Sequence, residues 1–96
     1  LKIVSAYQGY APYLLRAEVR VFPHQDNTAV CLVYISPQQE SADCRELKGT
    51  QSSILHTFTA RELPEGDYIV AAGVERGDHF LYTPKQHIVV LEGNPS

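Results

Sequence analysis

The 96-residue sequence contains no methionine and no tryptophan, and only two of its residues are cysteine. It also lacks any apolar run near the roughly 20 residues that a membrane-spanning helix needs. We therefore predict no membrane insertion. The absence of methionine, together with the start at Leu1, predicts a processed product or an excised segment of a longer chain.

An excess of basic residues is missing as well. Eight Lys and Arg stand against 11 Asp and Glu, which gives a formal net charge of −3. Such a chain creates no positive field that would gather phosphate backbones, so we expect no nucleic-acid partner. Hydrophobic residues at 44% and charged residues at 20% are ordinary values for a globular protein.

The length of the chain fits one folding unit. We predict a single domain over residues 1–92. The last residues, 93–96, contain Gly93 and Pro95 and are predicted to form a C-terminal tail or the start of a linker.

Motifs for catalysis, cofactors and metals are also absent. There is no Gly-x-Ser-x-Gly elbow and no glycine-rich loop before a helix. Four histidines lie in four separate segments without metal-site spacing: His24, His56, His79 and His87. We predict no enzyme, no cofactor and no metal site. A small hydrolase or inhibitor fragment would need a pocket with convergent titratable groups, and the sequence offers no such set.

The two cysteines, Cys31 and Cys44, form an even pair in a small domain. This predicts a disulfide, and with it an extracellular, cell-surface or periplasmic location. If the two face each other in a hairpin, Ile35 faces Glu40 and residues 36–39 form the turn. Two reduced cysteines in a cytosolic protein are the alternative.

Alternation of apolar and polar residues predicts strands. The clearest example runs from 15 to 22, and its inward set is Leu15, Ala17, Val19 and Val21. Residues 29–35 are apolar on both faces, which indicates a strand covered on each side or lying under a loop. Residues 41–49 fit either a short strand or one helical turn. The whole pattern predicts an all-β, two-sheet antiparallel β-sandwich of about seven strands.

A corner is predicted where Leu63, Pro64, Gly66 and Tyr68 stand. Pro64 fixes φ, Gly66 permits a positive φ, and Tyr68 lies where a strand resumes. This spacing resembles the corner before the sixth strand of fibronectin type III and immunoglobulin-like domains. There a tyrosine hydroxyl binds back to the main chain. The resemblance implies a sandwich of that kind, with Tyr68 in the corner role.

The chain departs from those families in two respects. No tryptophan stands on the second core strand, and the cysteines are closer in sequence than the inter-sheet pair of antibody domains. A divergent member of the wider immunoglobulin-like group fits these differences. Transthyretin-like sandwiches share a similar Leu-Pro-x-Gly-x-Tyr corner and are an alternative.

The tripeptide Arg76-Gly77-Asp78 lies between the last two predicted strands. Fibronectin type III domains that bind integrins carry the same tripeptide at this place, so the resemblance implies a binding loop. A cation and a carboxylate on either side of a glycine turn could bridge an acidic pocket and a metal ion. A plain hairpin turn is the simpler interpretation, because turns favour Gly and Asp.

Three tyrosines near the N-terminus, Tyr7, Tyr10 and Tyr13, form a cluster in the sequence. They could make a glycan-binding surface, or they could cover the open end of the sandwich and hydrogen-bond to the backbone. The lack of tryptophan disfavours the glycan hypothesis, because stacking on sugars favours large aromatic faces.

These features predict a non-catalytic structural or protein-interaction module of a secreted or cell-surface protein. Its partners would be other proteins or neighbouring domains of a longer chain. The alternative is a specific ligand-binding module, acting through residues 76–78 in integrin-type adhesion or through the three tyrosines. The sequence leaves the oligomeric state open.

Overall fold

The computed structural model describes residues 1–48 and 54–93, which form nine strands and no helix. The strands are β1 (Lys2–Ile3), β2 (Gln8–Tyr10), β3 (Tyr13–Arg20), β4 (Asn27–Ser36), β5 (Gln39–Glu46), β6 (Leu55–Leu63), β7 (Gly66–Arg76), β8 (His79–Tyr82) and β9 (Gln86–Leu91). From residue 94 on, the predicted tail lies outside the described residues.

Two sheets pack together and confirm the predicted all-β, two-sheet architecture. The smaller sheet has the order β1-β3-β6, and the larger has the order β2-β9-β7-β4-β5, with β8 paired to β7. The strands outnumber the expected seven because the N-terminal segment contributes to both sheets and the last strand is divided in two.

One strand pair corrects the expectation of a wholly antiparallel sandwich. β1 pairs antiparallel with β3, whereas β2 pairs parallel with β9. Between β1 and β2 the chain crosses from the smaller sheet to the larger one. There β2 runs parallel to the edge of β9. Gly9 lies within β2, where an added Cβ would overlap with the ring of Tyr13.

The core lies between the two sheets. The alternation predicted for residues 15–22 is confirmed, because the inward side chains of β3 are buried and the outward ones are not. The largest buried side chains come from both sheets: Tyr68, Phe58, Leu15, Leu32, Ile88, Val19, Val30 and Val70. Full burial of an apolar side chain of this size contributes about 1.5–3 kcal/mol, so these residues dominate the stability of the fold.

The β4–β5 hairpin has the register that the cysteine spacing predicted. Cys31 faces Cys44, Ile35 faces Glu40 and Ser36 faces Gln39. The cysteines form a disulfide, with their Cα atoms 4.0 Å apart. Residues 41–46 therefore belong to a strand and not to a helical turn; residue 49 lies outside the described residues.

β7 is the middle strand of the larger sheet. Its first half pairs with β9 and its second half with β8. The returning chain is interrupted at residues 83–85, where Thr83 donates its backbone N–H to the Ala72 carbonyl and accepts the Ala72 N–H on its hydroxyl. Both β8 and β9 therefore pair with β7 in one sheet, on either side of this interruption.

Gly73 explains why small residues stand on β7. The rings of Phe80 and Tyr82 stack on each other with centroids 5.3 Å apart. A Cβ at Gly73 would lie 2.9 Å from the Phe80 ring and 3.0 Å from the Tyr82 ring. The two aromatic rings on β8 thus need a residue without a side chain at this position of β7.

The corner brings Leu63, Pro64, Gly66 and Tyr68 together. Tyr68 is 0% exposed, and its hydroxyl donates to the Pro64 carbonyl at 2.8 Å. Gly66 has a φ of 154°, which favours glycine. Burial raises the pKa of Tyr68, and the nearby Tyr34 raises this pKa further, while a hydrogen bond with Gln39 lowers it.

We predict that Tyr68→Phe lowers the free energy of unfolding by about 1–2 kcal/mol, because the Pro64 carbonyl loses its hydroxyl donor. Urea unfolding at pH 7 measures this change. Tyr7→Phe is the control, since the exposed Tyr7 hydroxyl donates only to Gln86, and its effect should stay within about 0.5 kcal/mol. Equal effects would contradict the role given to the corner.

A comparison of the wild type with Tyr68→Phe at different pH values tests the pKa of Tyr68. A raised pKa in the folded state means that folding favours the protonated hydroxyl. Its contribution is complete below the ordinary tyrosine pKa of about 10 and is lost as the pH rises above it. The wild type should therefore lose more stability between pH 9 and 11 than Tyr68→Phe does.

We predict that the double variant Cys31→Ala, Cys44→Ala loses about 2–3 kcal/mol of unfolding free energy, as expected for a closed loop of this length. The disulfide lies on the outer side of the larger sheet, so alanine leaves no core cavity. Treatment of the wild type with a phosphine reductant should lower the melting temperature equally. The reductant should not change the melting temperature of the double variant.

Candidate functional site

The Arg76-Gly77-Asp78 tripeptide does not form a separate loop. Arg76 is the last residue of β7 and pairs with His79, so only Gly77 and Asp78 make the turn. Gly77 has a φ of 62° and donates its N–H to the Asp26 carbonyl at 3.1 Å. A positive φ at the first turn residue is typical of a two-residue hairpin, where glycine is preferred.

The two charged side chains of the tripeptide have different surroundings. Arg76 donates from Nε to Oδ1 of the buried Asn27 at 2.9 Å, and Asn27 donates from Nδ2 to the Phe22 carbonyl at 3.0 Å. The carboxylate of Asp78 is 93% exposed and lies 3.4 Å from Nε2 of His79. Arg76 thus fastens the loop before β4 and is not a free cation beside Asp78.

The three N-terminal tyrosines are separated in space. Tyr13 is buried in the core and its hydroxyl donates to the Ala6 carbonyl. Tyr7 precedes the short β2 and Tyr10 is its last residue; both are exposed, and the Tyr7 hydroxyl donates to Oε1 of Gln86 at 2.8 Å. The three rings therefore do not form one stacking platform.

The two outer faces of the sandwich differ strongly in polarity. The outward residues of β3 and β6 in the smaller sheet are mostly charged or polar: Leu14, Arg16, Glu18, Arg20, Leu55, Thr57, Thr59 and Arg61. This composition is typical of a solvated surface, where such charges contribute little to stability. The smaller sheet needs no partner on its outer side.

The larger sheet presents an apolar outer surface, which we call the apolar face. Its members are Val33, Ile35, Ile69, Ala71, Phe80 and Tyr82. Strand pairing arranges them in rows, with Ile35 opposite Ile69 and Val33 opposite Ala71. Ile69 is 44% exposed and Tyr82 is 63% exposed, although side chains of this kind gain free energy from burial.

The apolar run at residues 29–35 contributes to this face, although it predicted a strand that is covered on both sides. Residues 29–35 were expected to be covered on each side or to lie under a loop, because they are apolar at nearly every position. The structure places Val30 and Leu32 in the core and Val33 and Ile35 outward. None of the described residues covers the outward pair, so the second cover is missing from this part of the chain.

Shallow depressions follow the apolar face. Four neighbouring ones, of about 230 to 340 Å³ each, are lined in part by Ile35 or Ile69. They are open to solvent, unlike the enclosed sites that bury most of a small ligand. The geometry fits contact with a broad surface better than the binding of a small molecule.

The described residues show no other candidate chemistry. No group of three or more His, Cys, Asp or Glu side chains lies in them with the geometry of a metal site. Nor does this part of the chain contain a helix that is long and apolar enough to cross a membrane.

Comparisons with protein-family models, with curated proteins and with solved structures find no match to this chain. Its function therefore has to be inferred from its own residues.

We predict that Arg76→Ala lowers the free energy of unfolding by about 1–3 kcal/mol, because the buried amide oxygen of Asn27 loses a donor. Asp78→Ala, the matched change in the same tripeptide, should stay within about 0.5 kcal/mol. Chemical denaturation of both variants measures the difference. Integrin-dependent cell adhesion that is abolished by Asp78→Glu would contradict this structural interpretation of the tripeptide.

Proposed function

We propose that this chain is a non-catalytic interaction module that docks with protein through its apolar face. We infer further that it is a fibronectin type III-like or immunoglobulin-like domain of a secreted or cell-surface protein. The observation that carries the proposal is the set of adjoining outward apolar rows on the larger sheet, above all Ile35 beside Ile69.

The size of the face supports a protein partner. The face occupies three strands, β4, β7 and β8, about 4.8 Å apart, over about six residues at 3.4 Å each, which gives an apolar patch on the order of 300 Å². Patches of this size are among the largest that soluble monomers expose, and they often mark binding sites. Burying the patch removes enough apolar surface for about 7 kcal/mol at roughly 25 cal/mol per Å². The cost of association offsets much of this gain, so the complex should be reversible.

The strand arrangement supports the type of domain. β1, β3 and β6 share one sheet, while β4, β7 and β9 share the other. Immunoglobulin-like sandwiches divide their A, B and E strands from their C, F and G strands in the same way. The hydrogen bond from Tyr68 to the Pro64 carbonyl also matches the tyrosine corner of this group.

The disulfide supports the proposed compartment. The bond between Cys31 and Cys44 forms and persists in oxidising environments such as the cell exterior or the periplasm. The ligand-binding alternatives have less support, since Arg76 is engaged by Asn27 and the tyrosines are apart.

Site-specific photo-cross-linking tests the proposed docking face. A photoreactive phenylalanine analogue replaces Ile69 in the protein as its own cells produce it. A second chain carries the same group at Leu14, which is 36% exposed on the opposite face. We expect a discrete protein adduct from position 69 that an added Ile35→Asp change removes, and no such adduct from position 14. Equal adducts from both positions, or none from position 69, would contradict the proposal.

A further inference from the structure

The two sides of the apolar face carry opposite electrostatic character. On the β5 side, Glu40 and Glu46 point outward beside the apolar rows. On the β9 side lie the exposed Lys85 and His87, which line the same depressions as Ile69. One side is therefore anionic, and the other offers a cation and an imidazole.

A single row of paired residues shows what this asymmetry implies. From β9 to β5 the row contains His87, Ile69, Ile35 and Glu40. A two-fold axis parallel to the strands, in the plane of contact between two copies, reverses the row. Ile69 of one copy then lies over Ile35 of the second, and His87 lies over Glu40. The row is complementary to itself, as an isologous interface requires.

The neighbouring rows obey the same symmetry. In the next row Ala71 lies over Val33 of the second copy. In the row after that, the Tyr82 ring lies over Cys44 of the second copy, and Gly73 lies over Cys31. Contacts between a sulfur and an aromatic ring are favourable. Lys85 stands at the β9 end of the Ala71 row, where it lines a depression with Val33 and Ala71. The apolar centre is thus enclosed by the charged sides.

We propose that the chain forms a two-fold dimer in which the apolar face of one copy packs on the apolar face of a second copy. This inference rests on the proposed function and names the partner. A second copy supplies both an imidazole and a cation over the β5 side and a carboxylate over the β9 side. A different partner would need a positively charged group over the β5 side and a carboxylate over the β9 side.

The area sets the expected strength of the dimer. With the flanking strand β5 included, each copy contributes on the order of 400 Å², so the total is about 800 Å², below the roughly 1,200 Å² of stable interfaces and in the range of weak, transient ones. The dimer is therefore weak and reversible, with a dissociation constant in the range of about 10 μM to 1 mM. It forms where the local concentration is high, as it is for modules held on one surface.

Sedimentation equilibrium of the purified chain between 10 μM and 2 mM tests the dimer. The wild type should show a monomer–dimer equilibrium, and Ile69→Asp should raise the dissociation constant more than tenfold. Leu14→Asp, on the solvated face, should leave it unchanged. Circular dichroism checks that each variant is folded.

Charge reversal tests the two-fold arrangement without altering an apolar residue. Glu40→Lys places a cation over His87 and Lys85, and His87→Glu places a carboxylate over Glu40; each change should weaken the dimer several-fold. The double variant restores opposite charges and should return the dissociation constant to within about twofold of the wild type. The two-fold arrangement is wrong if neither single variant weakens the dimer, or if the double variant dimerises no more tightly than the single variants.

The outcomes separate this proposal from the one it rests on. A wild-type chain that stays monomeric at 2 mM overturns the dimer. If cross-linking from position 69 then yields an adduct with a different protein, the docking function stands with another partner. If it yields no adduct at all, both proposals fall.

Discussion

The fold depends on the burial of Tyr68 between the two sheets. Tyr68 is the largest fully buried side chain and stands on β7, the strand that lies between β9 and β4. Its hydroxyl is held by the Pro64 carbonyl, so the polar end of a buried ring is satisfied within its own corner. Tyr68 therefore holds the start of β7 in place. The pairing of β7 then sets the register of β4 and β9.

The same strand explains why the two outer faces differ. Residues on β7 alternate between the core and the outside, so each inward residue such as Val70 is followed by an outward one such as Ala71. Small outward residues let the rings of Phe80 and Tyr82 lie flat across Gly73. The disulfide holds the edge strand β5 against β4 on this side, which keeps the anionic side of the face at a constant distance from its apolar rows.

Local features of the fold were predictable because their causes are local. The alternation in residues 15–22 and the pairing of Cys31 with Cys44 follow from the period of a strand and the geometry of one hairpin. The parallel pairing of β2 with β9 was not predictable in this way, because it depends on where a strand about 80 residues later lies. The contact of Arg76 with Asn27 joins residues that are 49 positions apart in the sequence, so the tripeptide alone did not predict it.

The apolar face shows what a sequence pattern leaves undetermined about a strand. Apolar residues at successive positions predict that both sides of a strand are covered, but they do not say what the second cover is. Here the first cover is the smaller sheet, which meets Val30 and Leu32 in the core. The described residues offer no second one for Val33 and Ile35. Because the smaller sheet carries charges on its own outer side, a general excess of apolar residues does not explain the difference. The asymmetry is a property of the larger sheet, and the proposed docking function rests on it.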